Sequence, residues 1–214
     1  MTTNRRNTRI ILASGSPRRR ALLEALGLSF EVVVSDVHEP GGMLPRLTET
    51  EAAAGVISNA RMKLDAVVAR LDTPALVIAA DTLVFLTDHI LGKPADLAEA
   101  RAMLAALSGR THEVITGLAV CDTASGAVAE GAEITEVTFR QLSSAEIECF
   151  VEVVNPVDRA GAYTVDGPGT LLVERYNGCY QNVLGLPLIR LDLLLHELGC
   201  SLFDLMDPAR CRFL

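Results

Sequence analysis

Apolar residues occur along this chain both as short unbroken runs and at helical spacing. Two unbroken runs, RIILAS near the start and ALVIAAD at 75–81, predict buried strands, because a strand covered on both faces has no polar side. FEVVVSD at 30–36 predicts a third strand. The runs at 113–121 and 132–142 predict two more strands around a polar turn. Together these runs predict a sheet that involves much of the chain.

Capping signals place helices between these strands. Ser16–Pro17 begins the first helix, since serine caps an N-terminus and proline suits the first turn, and Gly27 ends it. Three more helices begin at paired caps, which are Thr48 with Glu51, Asp96 with Glu99 and Ser143 with Glu146. A turn at 166–169 and a strand at 171–175 precede a last helix at 186–198. Alternating strands and helices predict an α/β fold, and the adjacent β runs predict a mixed sheet.

The composition is that of an ordinary globular protein. The 214 residues are 50% hydrophobic and 21% charged, which suits a single domain over residues 1–214. The net charge of −8 argues against binding of nucleic acid, so any anion must be bound by locally placed cations. Five dispersed cysteines favour reduced thiols and argue against a structural zinc. No apolar run suits a signal peptide or a membrane span, and we expect a cytoplasmic protein with no membrane partner.

Three consecutive arginines follow the turn that opens the first helix. Helix N-termini carry partial positive charge, so cations there need another reason. Arg19 shares the buried stripe of the helix and Arg18 lies at its edge, whereas Arg20 is in phase with Glu24 on the solvated face. Ser14 adds a hydroxyl at the same strand end, where α/β folds bind ligands. The combination favours an anion pocket, most naturally for phosphate, although Arg19 could instead pair with a buried acid.

Other charged residues fall at strand ends, in turns or within helices. Asp81 ends a buried run, a costly place for a carboxylate without a partner, so it is either functional or a cap or turn former. Its strand continues through 83–86 or turns back across 87–89. Lys93 occupies a Gly-Lys-Pro connection, which is either a surface turn or a well-placed cation. Lys63 lies within the second helix and faces either solvent or a cleft.

Carboxylates after the second strand and before the Gly-Pro-Gly turn complete the candidates. Glu39, in DVHE, either belongs to a solvated loop or holds Mg²⁺, which takes one or two protein carboxylates plus substrate phosphates. Asp166 stands where turns favour aspartate in any case. Cations and carboxylates without a Ser/His or Cys/His nucleophile pair indicate metal-assisted phosphate chemistry.

Nine motifs follow one another along nearly the whole chain. They are LASGSPRRRALLEALG, DVHE, ARMKLDAV, AADTLVF, ILGKP, LSGRTHEVITGLAV, FRQLSSAEI, DRAGAY and GCYQNVLGLPL. In number, order and spacing they resemble the Maf family of nucleoside triphosphate pyrophosphatases. The resemblance implies a two-lobed, ITPase-like α/β fold with a mixed sheet, flanking helices and a central cleft. It also implies hydrolysis of a nucleoside triphosphate to the monophosphate and pyrophosphate with Mg²⁺ or Mn²⁺, and a homodimer.

The resemblance also implies roles for individual residues. Asp81 matches the general base for water, and Glu39 matches an acidic residue near the metal and water, so both are expected at the metal. The residues expected to bind the phosphates are Arg19, Lys63 and Lys93, with Ser14 of the anion pocket beside them. The family has three positions that select the nucleotide. Arg18 and Thr82 match two of them, and Asp166 stands at the third position.

The nucleotide-selection positions leave more than one substrate open. Arg18 with Asp81–Thr82 resembles the branch that acts on dTTP and UTP, whereas the branch that acts on 7-methyl-GTP has Trp, Gln and Glu at the three positions. Asp166 stands where many relatives have Gln, and an ionised aspartate only accepts hydrogen bonds. Two rival functions are a non-enzymatic regulator that binds a division protein, since Maf relatives are described as septum-formation inhibitors, and a pyrophosphatase for ITP.

Overall fold

The computed structural model describes residues 8–37, 43–44, 48–87 and 89–212. Within these ranges, eight strands form one sheet. The strands are β1 (Ile10–Leu12), β2 (Phe30–Val32), β3 (Met43–Leu44), β4 (Leu76–Leu86), β5 (His89–Leu91), β6 (Thr111–Asp122), β7 (Ala127–Phe139) and β8 (Val173–Asn177). The helices are α1 (Pro17–Ala25), α2 (Glu49–Val68), α3 (Leu97–Leu107), α4 (Ser144–Val154), α5 (Tyr180–Val183), α6 (Leu188–Glu197) and α7 (Leu202–Leu205), with 3₁₀ turns between α4 and β8.

The sheet is mixed, as the sequence predicts. Its main path runs β2-β1-β4-β6-β7-β8, and β5 pairs with both β4 and β3 beside this path. Strand β1 is parallel to β2 and to β4, whereas the pairs β4–β6, β6–β7 and β7–β8 are antiparallel. The central strand both continues through Leu86 and then turns back into β5, so the two alternatives for this segment are both realised.

Local caps set the helix starts. Ser16 accepts a hydrogen bond from the backbone N–H of Arg19, and Pro17 follows in the first turn of α1. Capping boxes open α2 and α4, and Asp96 caps α3. These four helix starts were all expected, because each depends on residues three positions apart and not on distant partners.

Strand β2 is shorter than its apolar run. The sequence predicts a strand over 30–36, but pairing ends at Val32, followed by one bond from the N–H of Val33 to Leu12. The reason is that its partner β1 has only three residues, so nothing remains for the rest of the run to pair with. The predicted strand at 171–175 is likewise displaced, because a 3₁₀ turn takes up Gly167–Leu171 first.

Both faces of the central strands are covered. On one face Ile78 and Ala80 of β4 pack with α1 and α6; on the other Val77 and Ala79 pack with α2. Further along, β4, β6 and β7 contribute to a separate cluster with α3 and α4. The predicted α/β fold with a mixed sheet, flanking helices and a cleft is confirmed, whereas its two lobes and its single domain stay predictions. Among the described residues, no helix is long and apolar enough to cross a membrane.

Candidate functional site

A cavity of about 420 Å³ opens where β1 ends and beside the middle of β4. Because the two strands are parallel, with Leu12 opposite Ile78, the Ser14 loop and Asp81 are brought to the same edge. Apolar residues also line the cavity, among them Val84, Val114, Tyr163, Val183 and Leu184. The lining therefore combines polar, charged and apolar groups, as small-molecule binding sites do.

Asp81 lies in this cavity between two donors from α2. The Nζ atom of Lys63 is 2.6 Å from one carboxylate oxygen, and the side-chain amide of Asn59 donates to the other at 2.9 Å. Asp81 and Lys63 are only 8% and 5% exposed, so the Asp81 carboxylate is buried with a charged partner. Lys63 accordingly faces the cleft, which decides between the two orientations its helical position allowed. Asp81 lies within β4 and not in a turn, and its functional role stays a prediction.

Arg19 is buried and directed at uncharged protein groups. Its Nε donates to the carbonyl oxygen of Gly185 at 2.7 Å. One terminal nitrogen donates to Ser14 Oγ and to the carbonyl oxygen of Ala80, both at 2.9 Å, and the other donates to Thr82 Oγ1 at 2.9 Å. Its expected burial is confirmed, and its contact with phosphate stays a prediction.

Thr82 connects the cavity to a buried polar chain. Its hydroxyl lies 2.9 Å from that of Thr116 on β6, which donates to the carbonyl oxygen of Asn182 at 3.2 Å. The amide of Asn182 in turn donates to the carbonyl oxygen of Val114 and to Thr135 Oγ1. Thr116 is fully buried and contacts Thr82 directly, so its hydroxyl determines the orientation of Thr82 from behind. Thr135 is also fully buried but contacts Asn182 and Cys179 and not Thr82.

Arg18 lines the cavity next to charges of both signs. Burial lowers its pKa from the ordinary arginine value, Arg159 lowers the pKa further, and Asp166 and Asp158 oppose both effects. Asp158 also lines the cavity and forms an ion pair with Arg159 at 3.0 Å. A half-buried cation next to another cation favours the binding of an anion.

The remaining predicted residues lie in different surroundings. Lys93 lines the cavity and is exposed. Asp166 is exposed outside the cavity lining, where the hydroxyl of Thr164 donates to its carboxylate. Glu39 lies outside the described residues. The cavity thus collects seven predicted residues, which are Ser14, Arg18, Arg19, Lys63, Asp81, Thr82 and Lys93.

Sequence reasoning missed several residues that hold the site. Asn59 precedes Lys63 by one helical turn, so its shared row was a usable signal. Thr116 and Asn182 gave none, because each lies far along the chain from the residue it contacts. In the described ranges, no three His, Cys, Asp or Glu side chains cluster in a way that could hold a metal.

A buried aromatic cluster supports the wall of the cavity. Tyr163 lines the cavity, and its hydroxyl lies 2.8 Å from Nε2 of His112. Both rings pack edge-to-face with each other and with Phe139. Burial lowers the pKa of His112 to about 3 and raises that of Tyr163, so both side chains are neutral at physiological pH.

Two solved structures match part of this chain at low similarity. A structure titled nucleoside-triphosphatase / dITP/XTP pyrophosphatase, from Mycobacterium abscessus, covers 62% of this chain and 73% of its own at 17% identity and a TM-score of 0.35. The Ham1 protein of Staphylococcus aureus covers 61% and 72% at 18% identity and a TM-score of 0.38. TM-scores this low support no conclusion about fold or substrate.

Sequence relatives are much closer. A dTTP/UTP pyrophosphatase of Desulforamulus reducens is 42% identical over 193 residues, which cover 90% of this chain and 98% of that protein. Another, from Pelotomaculum thermopropionicum, is 44% identical over 192 residues, covering 89% and 96%. The profile of the Maf family, described as Maf-like protein, matches residues 9–198. This chain therefore belongs to the Maf family.

Proposed function

We propose that this chain hydrolyses dTTP and UTP to the nucleoside monophosphate and pyrophosphate. The observation that carries the proposal is the buried carboxylate of Asp81, held between Lys63 and Asn59 in a cavity that also contains Arg18 and Lys93. The names of the relatives at 42% and 44% identity support the reaction and the pyrimidine nucleotides.

Asp81 acts as the base for the attacking water. The water oxygen forms a bond to the α-phosphorus, the bond from that phosphorus to the bridging oxygen breaks, and pyrophosphate leaves. The proton of the water passes to the Asp81 carboxylate, which Lys63 and Asn59 hold in one orientation. Because the carboxylate is fixed before substrate arrives, little reorganisation remains for the reaction itself.

Cations and a hydroxyl around Asp81 bind the triphosphate. Arg18 and Lys93 line the cavity and neutralise charge on the substrate and on the departing pyrophosphate. Lys63 lies close enough to Asp81 to contribute to the same field. Ser14 lies at the turn before α1, where exposed backbone N–H groups favour phosphate oxygens.

A divalent cation, Mg²⁺ or Mn²⁺, fits this donor set. Mg²⁺ takes one or two protein carboxylates and completes its coordination with phosphates and water, so it does not need a protein cluster of three ligands. Asp81 would hold the cation, with Glu39 as the second ligand. When bound, the cation polarises the phosphoryl oxygens and offsets their negative charge.

Nucleotide selection belongs to the residues around the mouth of the cavity. Arg18 and Thr82 match the dTTP/UTP branch, and both line the cavity. The negative charge of Asp166 acts on Arg18: it raises the pKa of the Arg18 guanidinium, which burial lowers. This longer-range influence supports a selectivity role for Asp166 even though it is outside the lining.

We propose further that the protein is a cytoplasmic homodimer with no nucleic-acid partner. The five free cysteines suit a reducing compartment, and the net charge of −8 disfavours nucleic acid. Light scattering on the purified chain is expected to give twice the chain mass of 22.9 kDa. A mass equal to one chain at every concentration would contradict the dimer.

A pyrophosphate-release screen tests the function. The substrates are dTTP, UTP, CTP, ITP, 7-methyl-GTP and the standard purine nucleotides, each with Mg²⁺ and with Mn²⁺. We expect the highest kcat/KM with dTTP and UTP. Preferred turnover of ITP or 7-methyl-GTP would contradict the pyrimidine assignment, and no release from any nucleotide would contradict the enzyme itself.

A further inference from the structure

One buried guanidinium joins three segments behind the catalytic carboxylate. Arg19 is 8% exposed and donates to the carbonyl oxygens of Gly185 and Ala80, at 2.7 and 2.9 Å. It also donates to the hydroxyls of Ser14 and Thr82, each at 2.9 Å. All four acceptors are uncharged, and they belong to the loop after β1, to β4 and to the turn after α5. A planar group with donors in a rigid fork suits this kind of bridging.

We propose that Arg19 is a positioning residue and not a phosphate ligand, and that the hydrogen bonds behind it present the Thr82 hydroxyl to the nucleotide as an acceptor only. Ala80 and Thr82 flank Asp81, so Arg19 holds β4 on both sides of the carboxylate. Gly185 has φ +94, and a Cβ there would lie 3.3 Å from Thr82 Oγ1 and 3.5 Å from Arg19 Nε. The absence of a side chain therefore allows this close approach.

The direction of the hydroxyl protons follows from counting donors. Thr116 has one hydroxyl proton, and it donates that proton to the carbonyl oxygen of Asn182. In the contact between Thr82 and Thr116, the oxygen of Thr116 must then accept, so Thr82 donates. Thr82 also accepts from Arg19, which leaves it no proton for a ligand. Only this assignment satisfies all three hydrogen bonds at once.

The inference rests on the proposed function and adds a reason for its substrate preference. Uracil and thymine carry an N–H donor at N3, whereas cytosine has an acceptor at the same ring position. A Thr82 hydroxyl that can only accept is complementary to the N3–H of uracil and thymine. Opposite cytosine, it would face a second acceptor and neither group would be paired. The buried chain therefore converts a threonine, which could otherwise both donate and accept, into a selective group.

Thr116→Val tests the proton direction. The change keeps the shape of the side chain but removes the acceptor for the Thr82 proton, which is then free to turn toward the cavity. We expect the ratio of kcat/KM for UTP to that for CTP to fall by about tenfold. Thr116→Ser, which restores a hydroxyl, is expected to recover the wild-type ratio.

Thr135→Val is the matched control. Thr135 is equally buried and contacts Asn182 and Cys179, but it does not contact Thr82. We expect its ratio of kcat/KM for UTP to that for CTP to stay within about twofold of wild type, a much smaller change than the tenfold fall expected for Thr116→Val. An unchanged ratio in folded Thr116→Val overturns the acceptor assignment. An equal fall in Thr135→Val also overturns it, because general loosening would then explain the change.

Arg19→Gln tests the positioning role with inorganic pyrophosphate as the probe. We expect its Kd, measured by calorimetry, to stay within about threefold of wild type while kcat for UTP falls by about a hundredfold. Lys93→Gln, which removes an expected phosphate ligand, should weaken pyrophosphate by about tenfold. Weakening by Arg19→Gln as large as that by Lys93→Gln overturns the proposal. Thermal unfolding shows whether each variant is folded. If Arg19→Gln does not fold, the Thr116→Val measurement alone decides whether Thr82 acts only as an acceptor.

A spectroscopic readout separates failure of this inference from failure of the proposed function. Buried hydroxyl protons exchange slowly enough to be seen by NMR, and a cross-peak between the Thr116 hydroxyl proton and Asn182 is expected in the protein without nucleotide. If wild type releases no pyrophosphate, the proposed function fails while this spectrum still decides the proton direction. A Thr116 proton directed at Thr82 overturns the inference whatever the activity.

Discussion

At the scale of single residues, helical phase predicted which side chains face inward but not what they contact. Arg19 was expected on the buried stripe of α1 and is buried. Its partners are 61 to 166 residues away for β4 and the turn after α5, so no local pattern could identify them. The ion pair between Lys63 and Asp81 was equally hidden from the sequence. Each residue was a candidate by itself, and only the fold brings Lys63 Nζ to 2.6 Å from the Asp81 carboxylate.

Asp166→Gln tests the third selection position. The change removes a negative charge that acts on Arg18 and supplies a side chain that both donates and accepts. We expect the ranking among UTP, dTTP and CTP to change by about fivefold to tenfold while kcat for UTP stays within about threefold, because no reacting atom is involved. Steady-state kinetics with the three nucleotides measures this. An unchanged ranking would show that Asp166 does not influence selection.

His112 contributes an acid-sensitive term to stability. Its pKa is about 3 in the folded protein, below the ordinary 6.5, so the unfolded chain takes up the proton first as the pH falls. Its contribution is complete above about pH 6.5 and is lost toward pH 3, at about 1.4 kcal/mol per pH unit. Between pH 7 and 5, wild type should therefore lose about 2 kcal/mol more than His112→Gln in its free energy of unfolding.

Urea unfolding at both pH values measures this difference. His196→Gln is the control, because the His196 side chain is 61% exposed at the end of α6. Between pH 7 and 5, this variant should lose as much unfolding free energy as wild type. Equal losses in wild type and His112→Gln would show that the buried imidazole is not the acid-sensitive group.

At the scale of elements, what the sequence predicted well was local. The starts of α1 to α4 were expected, because each is a cap and its partner three residues on. Strand β2 is shorter than predicted, because its pairing depends on the length of β1. Strand β8 begins later than predicted, because the 3₁₀ turn occupies Gly167–Leu171. Short elements such as β3 and α7 lack enough residues for a periodic pattern.

A glycine pair tests how tightly α2 packs on the sheet. A Cβ at Gly117 of β6 would meet the backbone of Val56 and lie 2.5 Å from the backbone nitrogen of Ile57, so Gly117→Ala forces the layers apart. We expect a loss of about 2–3 kcal/mol in the free energy of unfolding. Gly55→Ala, on the exposed side of the same helix with open space around it, should instead gain about 0.5–1 kcal/mol. Denaturant titration compares the two, and similar effects of both would contradict the packing.

At the scale of the whole molecule, each of the long strands β4, β6 and β7 contributes residues to more than one apolar cluster. The same strands pack against α2 and α6 along one part and against α3 and α4 along another. A single domain around a cleft was expected from the chain length and the family resemblance, and it stays a prediction that the shared strands make testable. The sequence predicted seven polar or charged residues of the cavity lining but not its apolar wall, because residues such as Val114, Tyr163 and Val183 come from distant segments.

Shared strands predict a single cooperative unfolding transition. Scanning calorimetry should show one peak whose calorimetric and van't Hoff enthalpies agree, because neither part can unfold without breaking β4, β6 and β7. Nucleotide with Mg²⁺ should raise the midpoint as one transition. Two separable peaks, with only one of them shifted by nucleotide, would contradict the single domain.

Pyrophosphate release by wild type and Asp81→Asn with UTP and dTTP tests the central claim most directly. Asparagine keeps the size of the side chain but cannot take the proton, so we predict a loss in kcat of about 10²–10⁴-fold in a variant that thermal unfolding shows to be folded. Asp65→Asn is the control. Asp65 forms an exposed ion pair on α2, the helix that carries Lys63, and the variant should keep wild-type activity. Full activity of folded Asp81→Asn would show that this carboxylate is not the base.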